Sequence, residues 1–151
     1  MYQFKRTDSN NPDFQQLVVE LDKDLAIRDG DEHAFFAQFN KIDTIKYVVM
    51  AYEDELPVGC GALKEYEPEV MEIKRMFVSP EQRGKGIASL VLTELEKWAT
   101  ELNYKKCILE TGYKQFEAIA LYKKCQYTII KNYGQYAGVE SSVCFEKELN
   151  F

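Results

Sequence analysis

Apolar positions along the chain switch repeatedly between a period of two and a period near 3.6, and the switches predict its elements. Residues 2–7 alternate well enough to form a strand. Asn11-Pro12-Asp13 then reads as an N-cap, a proline in the first helical position and an acid in the first turn. Behind it Phe14, Leu17, Val18, Leu21 and Leu25 recur at helical spacing, and Gly30 marks a stop. A second, short helix is expected over 31–39, with Phe35, Phe36 and Phe39 as its apolar side. Three strands follow, over 45–52, 57–66 and 70–78, separated by the turns Glu53-Asp54-Glu55 and Glu67-Pro68-Glu69. Such short connections predict an antiparallel meander.

After Val78 the pattern becomes strand–helix–strand. A helix over 87–102 carries Ile87, Leu90, Val91, Leu95, Trp98 and Leu102 on one side, and 105–111 is the next strand. A crossover of that length requires parallel pairing. A further helix, with Ala118, Leu121, Tyr122 and Cys125 on one stripe, leads to strands over 127–133 and 142–148. The predicted order is β-α-α-β-β-β-α-β-α-β-β. That order is a mixed α/β sheet in one domain.

Composition narrows the classes. At 151 residues, 46% hydrophobic and 29% charged, the chain is suited to a single folded domain rather than to disorder. The longest apolar or aromatic run, 47–52, is far too short to span a bilayer, and the first residues lack a secretory h-region. A cytoplasmic protein without membrane association is the expectation. Cys60, Cys107, Cys125 and Cys144 show no metal-ligand spacing, and His33 is the single histidine. The cysteines therefore read as small buried hydrophobes, and no metal is expected. A net charge of −6 disfavours a nucleic-acid partner and suits a cationic or amine substrate.

The segment 71–88 carries the most chemistry. An apolar strand end, Phe77-Val78, runs through Ser79-Pro80 into the basic turn Arg83-Gly84-Lys85-Gly86 and then into a long amphipathic helix. Backbone N–H groups, a helix N-terminus and two cations converge there, as a diphosphate requires. A Walker-type loop fails, because the glycines lie one residue apart and Ile87 follows. A dinucleotide fingerprint fails too, lacking its third glycine and preceded by antiparallel strands. A solvated basic loop remains the plain alternative for the turn taken alone.

Arg83-x-x-Gly86-x-Ala88 resembles motif A of the GNAT acyltransferase superfamily, and the segment 115–122 followed by Lys124-Cys125-Gln126-Tyr127 resembles its motif B. The element order agrees over essentially the whole chain. The resemblance implies acetyl-coenzyme A, or a close acyl-CoA, as donor. Its pyrophosphate would rest on amides of Arg83, Gly84, Lys85, Gly86, Ile87 and Ala88, and Arg83 and Lys85 supply the local cations. Its pantetheine would lie along Met76, Phe77 and Val78 like an added strand. Gln115 stands where the family commonly has Asn, as a further contact to the cofactor. Gln126 replaces a usual glycine, which strains the helix end if the position needs positive φ.

Acyl transfer to an amine needs a proton acceptor, an oxyanion donor and a proton for the leaving thiolate. Glu72, on the motif A strand, is the expected base, with a salt-bridged strand Glu beside Lys74 and Arg75 as its structural alternative. Tyr122, at the motif B tyrosine position, is the expected proton donor to the thiolate and a cofactor contact; a core aromatic is the alternative. A backbone N–H near Val78 serves the oxyanion. The acceptor end is expected to draw on Arg28, Asp29, Asp31, Glu32, His33, Tyr133 and Tyr136, a run that equally reads as a polar helix junction and a plain loop. The predicted function is N-acetyl transfer from acetyl-CoA to a primary amine of a small molecule or peptide. The alternative is a non-catalytic CoA-binding module on the same fold, and a homodimer is compatible with either.

Overall fold

The computed structural model describes residues 2–29 and 45–149. The expected helix over 31–39, and His33, Asp31 and Glu32 with it, lie outside the described residues, as do the side chains of Arg28 and Asp29. The elements are β1 (Tyr2–Thr7), α1 (Pro12–Asp29), β2 (Tyr47–Glu53), β3 (Leu56–Glu67) and β4 (Val70–Val78). They continue as α2 (Ile87–Glu101), β5 (Lys106–Gly112), α3 (Phe116–Lys124), β6 (Thr128–Ile130) and β7 (Ser142–Glu148). Single 3₁₀ turns occupy Pro80–Gln82 and Gly134–Tyr136.

One seven-stranded sheet runs in the order β1-β2-β3-β4-β5-β7-β6. β2, β3 and β4 form the expected antiparallel meander, and β1 adds antiparallel to β2 at its edge. Its first hairpin turns through Asp54 and Glu55 at φ +49° and +70°, the paired left-handed geometry that matches strand twist. β4 and β5 are parallel, as the α2 crossover demands, yet they pair over Val70–Glu72 alone, ending at Glu72 opposite Ile108. Beyond that point the two strands part, and a sheet that is continuous below becomes open above.

Alternation along the strands assigns the two faces. Val49, Ala51, Leu63, Met71 and Ile73 meet Val91, Leu92 and Leu95 of α2 on one face, with α3 partly packed on the same cluster. Val48, Met50, Cys60, Ala62 and Phe77 meet Phe14, Leu17, Val18 and Leu21 of α1 on the other. α1 starts as the sequence dictates: Asn11 Oδ1 accepts the N–H groups of Asp13 and Phe14 at 2.8 and 3.2 Å. Gly61 lets α2 close on the sheet, since a Cβ there would lie 2.5 Å from Met76 Sδ and 2.8 Å from Leu95 Cδ1.

Two expectations change in detail. The strand expected over 127–133 is shorter, Thr128–Ile130, because Asn132 Nδ2 donates to the carbonyls of Val139 and Ser142 and turns the chain out of the sheet. Of the cysteines, Cys60, Cys107 and Cys144 are buried, but Cys125 is only half-buried, its Sγ 3.6 Å from Ser89 Oγ. Gln126 does adopt positive φ, +76°, just past the end of α3. Among the described residues no helix is long and apolar enough to cross a membrane.

The α2 face contains one buried charge. Glu96 is 2% exposed and accepts Tyr127 Oη at 2.8 Å and Lys147 Nζ at 2.9 Å. Burial, with Cys107 and Glu96 adding to it, pushes the Tyr127 phenol well above its ordinary value, so it stays a donor. Removing the carboxylate strands both partners. Glu96→Ala is therefore expected to lower unfolding stability by about 3 kcal/mol, read from the urea midpoint. Gln126→Gly, by contrast, relieves the left-handed strain and should raise stability by about 1 kcal/mol in the same measurement.

Candidate active site

α2 begins without a side-chain cap. It follows Gly86 at φ +82°, and no side chain bonds its first turn. Gly84 is left-handed as well, at φ +81°. Among the described residues no carbonyl accepts a hydrogen bond from the amides of Gly84, Lys85, Gly86, Ile87 or Ala88. A Cβ on either glycine would meet no atom within 4 Å, so glycine is required here by the backbone turn and not by crowding. Unpaired N–H groups, an open concavity and the positive end of a helix together form an anion cradle.

From this loop a cleft of about 500 Å³ runs between the parted strands. One wall is the β4 edge from Glu72 to Val78, and the other is Glu110, Thr111 and Gly112 of β5 with Gln115, Ala118, Leu121 and Tyr122 of α3. Above Glu72 the β5-facing edge of β4 has no strand partner among the described residues. An extended chain bearing amides can add to such an edge. Of the expected donor-site residues, Met76, Phe77, Val78, Arg83, Gly84, Gly86, Ile87, Ala88, Gln115 and Tyr122 all line this cleft. Lys85 does not: it is exposed and its Nζ lies 3.2 Å from Gln82 Oε1. Arg83 lines the cleft but turns inward, Nε donating to the Val78 carbonyl at 2.8 Å with Asp24 3.6 Å from Nη2. Its guanidinium also stacks over the Phe77 ring at 5.4 Å. Arg83 thus ties the loop to β4 and α1, and the anion cradle is made chiefly of backbone.

Tyr122 belongs to both environments that the sequence offered it. Its ring packs against Tyr127 and Phe145 at centroid distances of 5.9 and 5.8 Å, and the same residue lines the cleft. Burial, with smaller contributions from Cys125 and Glu110, raises its phenol pKa above the ordinary value. The hydroxyl therefore keeps its proton throughout the neutral range.

Glu72 sits where the strands part. It is 7% exposed and accepts a hydrogen bond from Tyr133 Oη at 2.7 Å, while Lys74 Nζ is 3.9 Å away. Tyr133, expected at the acceptor rim, is thus a partner of the carboxylate. Burial, with the charge and hydrogen bond of Glu72, raises the Tyr133 phenol far above its ordinary range. Tyr136 is buried, stacks edge-on with Tyr133 at 5.8 Å and lines the cleft. Burial also pushes the Tyr136 phenol upward, reinforced by Glu110 and Glu72.

Glu110 and Arg75 are charged cleft residues that sequence reasoning did not assign to the site. Glu110 reaches the wall from β5, held by Ser142 Oγ at 2.7 Å. Arg75 occupies a β-bulge: Ala62 opposes Lys74 and Cys60 opposes Phe77, so β4 carries one extra residue, and Arg75 takes φ +58°. The signal for the bulge was present as a break in alternation, since residues 71–74 alternate and Lys74 and Arg75 are then consecutive charges. Burial lowers the Lys74 pKa, with neighbouring Glu72 opposing the shift. Among the described residues no group of three or more His, Cys, Asp or Glu is arranged to hold a metal ion.

Comparison with known proteins bears on the fold and the family. The model of the "Acetyltransferase (GNAT) family" matches residues 10–127. The chain is 34% identical over 141 residues to an Azospirillum brasilense protein named IAA acetyltransferase, covering 89% of each. A Klebsiella pneumoniae structure assigned as an acyl-CoA N-acyltransferase superposes with a TM-score of 0.83 at 25% identity, over 99% of both chains. The PaiA N-acetyltransferase of Thermoplasma acidophilum, solved in complex with coenzyme A, shares the fold at a TM-score of 0.71 and 17% identity, over 98% of this chain and 99% of that one.

The left-handed glycines give a direct test of the cradle. A side chain at Gly86 costs about 1–2 kcal/mol in that conformation, which the loop escapes by turning its amides away. Gly86→Ala should weaken coenzyme A binding by about tenfold in calorimetry.

Proposed function

The chain belongs to the acetyltransferase (GNAT) family and is an N-acetyltransferase, and on that premise we propose that it moves the acetyl group of acetyl-CoA directly onto a primary amine of a small molecule or peptide. The observation that carries the reading is the unpaired amide run from Gly84 to Ala88, opening into a cleft along an unpaired β4 edge. A diphosphate satisfies the first feature, and an amide-bearing arm satisfies the second.

Each residue then has a role set by its chemistry. The amides of Gly84, Lys85, Gly86, Ile87 and Ala88 hold the pyrophosphate. The exposed edge from Met76 to Val78 orients the pantetheine and offers an N–H to the oxyanion that develops on the acetyl carbonyl. Glu72 takes a proton from the incoming amine, directly or through water. Its bond to Tyr133 fixes the carboxylate orientation, so the base is aimed before the acceptor arrives. Tyr122 returns a proton to the departing thiolate. Burial keeps that phenol protonated, which is the state a general acid must start from. No covalent enzyme intermediate is needed, so the cysteines are free to serve packing.

Separate substitutions resolve these roles. Tyr122→Phe should lower kcat by about 100-fold while the acetyl-CoA Kd stays unchanged, because only the proton is lost. Glu72→Gln should reduce kcat by a similar factor of about 100. A Tyr122→Phe enzyme within twofold of the parent would reduce that residue to a packing aromatic. The raised phenol pKa also has a sign: Tyr122 loses its proton only above about pH 10, so it contributes no falling limb to kcat below that point.

A further inference from the structure

Resting on the N-acetyltransferase reading, we infer that the acceptor amine also carries a carboxylate, as an amino acid does, and that Arg75 binds it. Arg75 lines the cleft from the bulge of β4, and its side chain is only 2% exposed. A guanidinium has five N–H donors. Here Nη2 donates to Asp22 Oδ1 at 2.8 Å, while Nε and Nη1 are buried and have no hydrogen-bond partner among the described residues. Buried donors without acceptors are rare, and more costly still when the group is charged. A half-exposed Asp22 on one nitrogen leaves this cation incompletely answered.

The surroundings say what completes it. Lys74 and Arg75 are consecutive at the bulge and set two positive side chains on the cleft wall. Glu72 and Glu110 line the same cleft and supply the negative charge that an approaching ammonium group requires. A wall with both signs suits an acceptor with both signs. Its amine goes to Glu72 and its carboxylate to the free donors of Arg75, where a planar fork recognises carboxylate oxygens well. Leu21 and Leu25 of α1 line the cleft on the Arg75 side and offer apolar contact to the remainder of the acceptor.

The test compares acid with amide. Acetyl-CoA and the protein are incubated with each common amino acid and with its carboxamide, and free thiol is followed. The amide's amine is less basic and more often neutral, so intrinsic reactivity favours it. Preference for the acid must therefore come from recognition. The expected result is a kcat/KM at least about 100-fold higher for the best acid than for its amide. In Arg75→Gln that ratio should fall to near one through a rise in KM for the acid, with the amide rate and the acetyl-CoA Kd unchanged. Arg75→Lys should recover part of the preference. If the unmodified enzyme acetylates amides or simple amines as well as acids, the inference is wrong, and that comparison needs no variant to fold. An Arg75→Gln protein that loses acid and amide activity alike also overturns it. Should acetyl-CoA bind while no amine of any kind is acetylated, the N-acetyl transfer itself fails, and the inference falls with it.

Discussion

The candidate site depends on the early parting of β4 from β5. A parallel pair held together by a long helical crossover would ordinarily hydrogen-bond along its full length, but here it stops at Glu72 opposite Ile108. The remaining β4 peptide groups face a cleft, and so do the first amides of α2. Backbone groups left without a protein partner remain available to any acceptor or donor that enters the cleft. A fold that keeps such groups lined up is poised for a ligand that answers them in series. A diphosphate joined to an amide-bearing arm is a ligand of that kind.

This arrangement explains how an acidic protein accommodates a polyanion. Formal charge is −6, and the two cations of the glycine turn are not free to dominate the site. Arg83 is engaged with the Val78 carbonyl and Asp24, and Lys85 lies outside the cleft wall. In the proposed function peptide dipoles and the α2 N-terminus therefore supply most of the attraction, at short range. Their direction is fixed by Gly84 and Gly86, so the cradle selects geometry as well as charge. The second half of the sheet has the complementary task of fixing the reacting end. Ser142, at the start of β7, anchors Glu110, and Tyr133, beyond β6, anchors Glu72.

The sequence disclosed the framework because its signals are local. β1, β4 and β7 have the bounds that alternation predicts, α1 starts at its Asn11 cap, and α2 ends within a residue of the predicted limit. The donor loop was legible for the same reason: glycines, cations and helix start are contiguous. What was not legible depends on contacts distant in sequence. Tyr133 reaches Glu72 across 61 positions, and Glu110 enters the cleft only because β5 diverges from β4. β6 is cut short by a side-chain amide, Asn132, whose bonds to Val139 and Ser142 carry no periodic signature. Tyr122 shows the intermediate case, where helical spacing identified the buried stripe without revealing that the stripe borders the cleft.

The bulge at Arg75 connects donor and acceptor chemistry. In a regular strand the period of two would send Lys74 to one face and Arg75 to the other, into the α2 core with Ile73 and Met71. The extra residue absorbs one step. Past it the phase is shifted by one, so Met76 reaches the α2 side beside Gly61, Phe77 packs with α1, and Arg75 bonds to Asp22 of α1. The same irregularity that interrupts β3–β4 pairing thus places a cation on the α1 side, next to Glu72 and Lys74. In the proposed function donor binding draws on the β4 edge, whereas the inferred acceptor recognition draws on the β4 face. The two can vary independently, so a strand committed to one cofactor can still serve acceptors of different chemistry through the side chains around its bulge.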